Sequence, residues 1–356
     1  MPSTGPTSTA STGSARLPAE SAGTVAVPAP ASAGPILVTG AAGFVGAWLV
    51  EHLAASGAAI VGWRRPGTTP LTGAAIRWMD VELLDRAAVE QALADVAPSA
   101  IYHLAGAAHV ADSWRHPRET FEGNVLVTHH LLQALSRLGL RPRVVVSGSA
   151  TIYRPGAEAL DEEAAVAPAS PYATSKLAQE MVAVEAWREH GIPVLLARAF
   201  NHVGPRQTPA YVAPSIARQV ALIERGALPP VLRMGNLDPE RDIMDVRDTV
   251  RAYAAMMASG QAGVPYNICA GRAIRIGDLV GLFLARARVE IRIEQDPSRM
   301  RASDIPRLLG SHARLSRDTE WAPQIPLEQT VDDLLAWWRA ADAQTPREAQ
   351  GPPTRG

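Results

Sequence analysis

Apolar positions fall in short unbroken runs along the chain, and between the runs the apolar spacing becomes helical. Ile36–Gly40 (ILVTG) is one such run, ending in glycine, and a helical pattern follows it to about Ser56. Ala59–Trp63 predicts a strand, Asp85–Ala94 a helix, and Ala100–Leu104 (AIYHL) another strand. A long helical stretch covers about Thr120–Leu138, and Arg143–Ser147 (RVVVS) is the next strand. Pro171–His190 then predicts a long helix and Pro193–Ala199 (PVLLARA) a strand. Strands that alternate with helices imply right-handed βαβ units. The expected fold is α/β, a doubly wound parallel sheet covered on both faces.

Beyond about residue 200 the pattern loosens, with Pro205, Pro209, Pro214, Pro229 and Pro230 interrupting shorter elements. This predicts a cofactor domain over 35–200, completed by part of 245–270. A smaller, discontinuous α/β substrate domain is expected over 201–342. Residues 1–34 are mostly Pro, Ser, Thr, Ala and Gly, and 343–356 look alike. Such segments bury too little surface to offset their ordering entropy, so both are expected to be disordered tails. The first lacks the basic start and continuous apolar stretch of a signal peptide.

Charge and cysteine usage narrow the function. The 356 residues carry 34 basic and 35 acidic side chains, a net charge of −1. No basic excess points to nucleic acid or to an anionic membrane. No run approaches the ~20 apolar residues that span a bilayer. The single cysteine, Cys269, excludes a disulfide framework and a thiolate zinc site, and suits a reducing cytoplasm. The nine histidines show no metal-binding spacing, so no metal is expected. The stretch Asp161-Glu162-Glu163 reads as a solvated loop, and Trp337-Trp338 as core packing.

The first strand runs into Gly40-Ala-Ala-Gly43-Phe44-Val45-Gly46, and a helix follows. Gly40 would allow the tight turn, Gly43 close approach of a pyrophosphate to backbone N–H groups, and Gly46 close packing of the helix. This places a dinucleotide on a Rossmann-type domain. An acid at the end of the second strand would bind the ribose hydroxyls of NAD. The chain has Arg64-Arg65 instead, and two guanidiniums suit a 2′-phosphate. NADP(H) is therefore preferred, with NAD(H) also possible. Asp80-Val81 follows the next strand as an adenine contact.

Tyr172-Ala-Thr-Ser-Lys176 opens the long helix. Residues i and i+4 share a helix face, so the phenol and the ammonium lie together. A neighbouring cation would lower the phenol pKa and suit Tyr172 to proton transfer. Lys176 would also hold the nicotinamide ribose. Among the 34 basic residues it is the one lysine. An arginine could not be tuned in the same way. Upstream, Ser149 follows a strand C-terminus, where its hydroxyl could bond a substrate carbonyl oxygen.

These residues resemble an extended short-chain dehydrogenase/reductase of the NAD-dependent epimerase/dehydratase family, over about residues 35–340. His103-Leu-Ala-Gly-Ala-Ala-His-Val-Ala-Asp-Ser113 and Asn124 carry part of the likeness. Arg198-Ala-Phe-Asn201-His-Val-Gly-Pro-Arg206 and Gly235-Asn-Leu-Asp-Pro-Glu-Arg241-Asp-Ile-Met-Asp245 resemble segments of GDP-mannose-type enzymes. Asp296-Pro-Ser-Arg299-Met-Arg301 and Trp321-Ala-Pro are most similar to GDP-4-dehydro-6-deoxy-D-mannose reductases.

The resemblance implies that Leu104, Ala105 and Gly106 line the cofactor and that Ser113 meets the substrate. It implies that Asn201, Arg206, Arg241, Arg299 and Arg301 hold a nucleotide diphosphate. It also implies a cytoplasmic homodimer formed through the helices near 120–138 and 171–190. The related dehydratases carry an acid two residues after the catalytic hydroxyl, where this chain has Thr151, which cannot serve as that base. The expected activity is reduction of the C4 keto group of a GDP-4-dehydro-6-deoxyhexose, giving GDP-D-rhamnose. The alternatives are a 4-epimerase with tightly bound NAD, a GDP-mannose 4,6-dehydratase, which Thr151 disfavours, and a non-catalytic nucleotide-binding regulator.

Overall fold

The computed structural model describes residues 34–299 and 305–343. The tails expected at either end lie outside the described residues, Gly34 and Ala343 excepted, and so does Arg301. In chain order the first half runs β1 (Ile36–Thr39), α1 (Phe44–Ala55), β2 (Ile60–Arg64), β3 (Arg77–Asp80), α2 (Arg86–Val96) and β4 (Ala100–His103). It continues with α3 (Val110–Arg115), α4 (Pro117–Phe121), α5 (Val127–Arg137), β5 (Arg143–Ser147), α6 (Pro171–His190) and β6 (Val194–Ala199). The second half runs β7 (Asn201–Val203), α7 (Val212–Glu224), β8 (Val231–Met234), β9 (Glu240–Asp245), α8 (Val246–Ser259) and β10 (Pro265–Ile268). Last come β11 (Ala273–Arg275), α9 (Ile276–Leu284), β12 (Arg292–Gln295), β13 (Arg307–Leu308), α10 (Ala313–Thr319) and α11 (Leu327–Ala343).

Seven strands make one parallel sheet in the order β10-β6-β5-β4-β1-β2-β3. The strands are apolar on both faces because both are covered. Leu37, Ile101, Val144, Val146 and Leu196 pack with α2, α5 and α6. Their immediate neighbours Val38, Tyr102, Val145, Leu195 and Ala197 pack with α1, α8 and α10 on the other side. The order reverses between β1 and β4, where Thr39 lies opposite His103. A crevice opens at such a switch point, beyond the strand C-termini.

Local chemistry fixes the helices that matter. Ser170 caps α6 by accepting from the Ala173 N–H, Pro171 begins it, and Gly191 ends it in the left-handed region at φ 64°. The helix expected over 120–138 is instead α4 and α5 joined by one π-helical turn, Glu122–Leu126. That turn carries the fully buried Asn124.

In the second half, β9 pairs with β11, β13 and β7 in a small sheet, and β8 pairs with β12. Ile216, Val220, Leu232, Phe283, Leu334 and Trp338 form a separate core with α7, α9 and α11. Trp338 is thus a core residue, as its pattern predicts. Glu162 departs from the expected solvated loop. It is buried and accepts the Asn267 N–H at 2.7 Å, because the chain after β5 folds back against β10.

Candidate active site

The turn after β1 is built for close approach. Gly40 has φ 68°, and a Cβ there would lie 2.7 Å from the Ala105 nitrogen. A Cβ on Gly46 would lie 2.2 Å from the Gly40 carbonyl oxygen. Gly43 stands at the N-cap of α1, so the free N–H groups of the first turn face the crevice mouth. Phe44 and Val45 begin that helix, and the Phe44 ring stacks with His202 at 6.2 Å between centroids. Leu104 and Ala105 form the opposite wall, their N–H groups bonded to Thr39. A Cβ on Gly106 would lie 2.5 Å from Asn124 Oδ1, a buried oxygen with no hydrogen-bond partner. A cradle of bare backbone at a helix N-terminus fits the pyrophosphate of a dinucleotide.

At the far end of the crevice, Arg64 Nε donates to Asp80 Oδ1 at 2.6 Å, and the guanidinium lies over the Trp78 ring. Asp80 thus engages Arg64 through one carboxylate oxygen and is otherwise exposed. The two residues face each other across the β2–β3 register. Val81 packs into the core beneath the sheet, which removes its side chain from the adenine position. Arg65 is exposed.

Ser149, Tyr172 and Lys176 come together at the C-terminal end of β5. Ser149 caps a short 3₁₀ turn, Ala150–Ile152, and its Oγ lies 2.9 Å from Thr151 Oγ1. Tyr172 and Lys176 lie one turn apart on α6, with the ammonium 6.0 Å from the phenol ring centroid. Lys176 Nζ donates to the Ser147 carbonyl at 2.9 Å and to Gln179 Oε1 at 3.0 Å. Burial pushes the Tyr172 hydroxyl up to about 12, with the Ser149 hydroxyl opposing. Burial pulls Lys176 down to about 8. This corrects the expectation of an acidified phenol. Desolvation of Tyr172 outweighs a cation whose hydrogens are directed to Ser147 and Gln179, and the phenol holds its proton at neutral pH.

The residues expected to meet the substrate divide. Asn201 is exposed on β7 with its amide donated to the Asp242 carbonyl at 3.2 Å. Arg241 lies on β9 and bonds the Glu240 carbonyl. Arg299 is exposed and reaches Ser215 Oγ, in the first turn of α7, at 3.4 Å. A Cβ on Gly235 would lie 2.4 Å from the Arg299 carbonyl oxygen, which explains that glycine.

Arg206 and Ser113 do not meet the expectation. Arg206 is paired bidentately with Glu51 of α1, at 2.8 and 2.9 Å, and stacks over Trp48 at 4.4 Å. Ser113 is fully buried and donates to the Val110 carbonyl within α3. Both side chains are committed to the protein itself.

Two positions with extensive contacts escaped the sequence reading. Tyr211 bonds the Ala108 carbonyl at 3.0 Å and meets the edge of the His109 ring, closing the wall beside Tyr172. It sits on a proline-broken loop with no motif to mark it. Arg198 is buried, paired with Glu180 at 2.5 and 3.0 Å, and bonded to the Tyr153 hydroxyl and the Glu162 carbonyl. Its motif was visible, but its partners lie on other elements.

Residues 37–334 match the GDP-mannose 4,6 dehydratase family, and the chain belongs to it. It is 39% identical over 246 residues to the GDP-6-deoxy-D-mannose reductase of Pseudomonas aeruginosa, covering 68% of this chain and 81% of that one. Among solved structures it resembles RMD from Pseudomonas aeruginosa complexed with NADPH, with a TM-score of 0.77 and 35% identity, covering 86% of this chain and 99% of that one. The UDP-glucose 4-epimerase of Thermus thermophilus, in complex with NAD, gives the same TM-score and coverage at 27% identity.

Proposed function

We propose that this chain reduces the C4 keto group of a GDP-4-dehydro-6-deoxyhexose to give GDP-D-rhamnose. The observation that carries this reading is the Ser149–Tyr172–Lys176 cluster beside the glycine cradle, with Thr151 where a dehydratase needs an acid. A reduced nicotinamide nucleotide held by Gly40, Gly43, Phe44, Val45 and Gly46, with Leu104, Ala105 and Gly106 opposite, supplies the hydride. NADPH is the preferred form and NADH the second, Arg65 with Arg64 meeting the 2′-phosphate.

Each side chain has a defined task. Ser149 donates to the carbonyl oxygen and favours the charge that develops there. Tyr172, protonated at neutral pH, delivers its proton to that oxygen. Lys176 lies close enough to stabilise the phenolate that remains. Arg241, Arg299 and Asn201 hold the nucleotide diphosphate, since guanidiniums suit adjacent phosphate oxygens. We assign 35–200 with part of 245–270 to the cofactor domain and 201–342 to the substrate domain. The single thiol, Cys269, is buried, which suits a cytoplasmic protein. None of the described helices is long and apolar enough to cross a membrane.

The partner is a second copy. Trp114, Phe121, Leu126 and Met181 are exposed on α3, α4, the π turn and α6. Exposed apolar side chains grouped on adjoining helices mark an interface.

The test supplies GDP-4-dehydro-6-deoxy-D-mannose with NADPH or NADH and follows cofactor absorbance, with Tyr172→Phe as control. Stoichiometric oxidation lost in the variant is expected. Conversion without net oxidation overturns the reading in favour of an epimerase.

A further inference from the structure

A line of buried polar groups leads away from Lys176 toward the glycine turn. Gln179 Oε1 accepts from Lys176 Nζ, and Gln179 Nε2 donates to Thr128 Oγ1 at 2.8 Å. Thr128 Oγ1 lies 2.9 Å from His103 Nε2, and His103 Nδ1 lies 2.8 Å from Thr39 Oγ1. Thr39 Oγ1 accepts the Ala105 N–H at 3.3 Å. Thr39, His103, Thr128 and Gln179 are all fully buried.

Counting donors fixes the direction of every bond. Thr128 Oγ1 donates to the Asn124 carbonyl at 2.7 Å, and a carbonyl only accepts. Thr128 therefore spends its one hydrogen there and accepts from both Gln179 Nε2 and His103. The His103 proton must lie on Nε2, and Nδ1 must accept from the Thr39 hydroxyl. Reversing the Gln179 amide would set its NH₂ against the ammonium and its oxygen against a hydroxyl with no hydrogen left. The amide has one orientation.

We propose that Gln179 is a positioning residue for Lys176. Its amide oxygen, aimed by Thr128 and His103, holds the ammonium against the Ser147 carbonyl and leaves one N–H for a ligand. The proposal rests on the catalytic reading of Tyr172 and Lys176 given above.

The surroundings of Lys176 make the effect measurable. The groups facing it are Tyr172 and Gln179 from α6, His103 from β4, the Ser147 carbonyl from β5 and Asn124 from the π turn. Burial, and then the charge of Lys176, hold His103 down at about 3, so it is neutral across the working range. Glu180 is turned away to Arg198. Among the described residues no carboxylate pairs with Lys176.

Lys176 is the one lysine in the chain, so lysine labelled with ¹³C at Cε gives a single resonance that reports its titration directly. Three proteins are compared: the native chain, Gln179→Glu and Gln179→Met. A carboxylate at 179 faces the ammonium, so Gln179→Glu should raise the Lys176 midpoint by about one pH unit or more. Gln179→Met removes the acceptor at similar volume and should lower it. Turnover in Gln179→Met should fall in kcat, with KM for the GDP-sugar within about two-fold of native.

Midpoints that stay with the native protein in both variants overturn the proposal. So does a shift in the same direction in both, which is what a packing defect would give. If instead the midpoints move apart as expected but Tyr172→Phe keeps full turnover, the catalytic reading fails and the positioning role stands. The titration needs no substrate, so the two failures are separable.

Discussion

Ser149 Oγ and Thr151 Oγ1 lie 2.9 Å apart at the end of β5, so the two hydroxyls share one hydrogen bond at the floor of the site. Of the two, Ser149 is the one that also hydrogen-bonds Tyr172. Ser149→Ala should lower kcat by about 100- to 1,000-fold, the usual loss of one donor to a developing oxyanion. Thr151→Val should cost only a few-fold, measured in the same cofactor assay. Equal losses would mean that the pair acts as a unit.

The pH dependence follows from Lys176. Burial lowers its pKa to about 8, so its charge is lost as pH rises through that value. Tyr172, pushed up to about 12, stays protonated across the same range. The expected kcat profile is flat below pH 8 and falls above it. A fall on the acid side of neutrality alone would point to a different group.

Arg206 and Arg241 are predicted to behave differently. Removing Arg206 takes a bidentate ion pair from Glu51 and a stacked cation from Trp48, which keep Thr72 and Arg247 as partners. Arg206→Ala should lower the thermal midpoint, with stability falling by about 1 kcal/mol. Its KM for the GDP-sugar should stay within about two-fold. Arg241→Ala should instead raise KM roughly ten-fold or more, the worth of a charge-assisted bond to phosphate. Steady-state kinetics and thermal melts on both variants decide this.

Cofactor choice is tested most directly at Arg65, because Arg64 also serves Asp80. Arg65→Ala should raise KM for NADPH roughly ten-fold and leave KM for NADH nearly unchanged. A parallel change in both would remove Arg65 from the 2′-phosphate.

Assembly is checked by charge. Met181 is 57% exposed on α6, and Leu126 is 43% exposed on the π turn. Met181→Asp should shift the dimer to a monomer in size-exclusion chromatography with light scattering, without lowering the thermal midpoint of the monomer. A native protein that is already monomeric at high concentration would end the dimer proposal.

Much of the fold was legible because local rules set it. The strand at 143–147 and the helix at 171–190 have the bounds that their apolar run, Ser170 cap and Gly191 stop dictate. The glycine turn was legible because only glycine tolerates φ 68° with a wall at 2.7 Å. The π turn was not, since helical periodicity over 120–138 does not record one inserted residue. Nor was the buried state of Glu162, whose partner is a backbone N–H more than 100 residues away.

The sequence by itself determined the alternation of strands and helices, the dinucleotide turn and the Tyr172–Lys176 pair. Each of these depends on neighbours within a few residues. Tertiary structure alone decided which of the described arginines are taken up by carboxylates. Arg206 found Glu51 across 155 positions, and Arg64 found Asp80 across a strand pair. Charge pairing depends on distance in space, which residue type and spacing do not encode. The same holds for Gln179, an ordinary helix residue until packing sets its amide between Lys176 and Thr128.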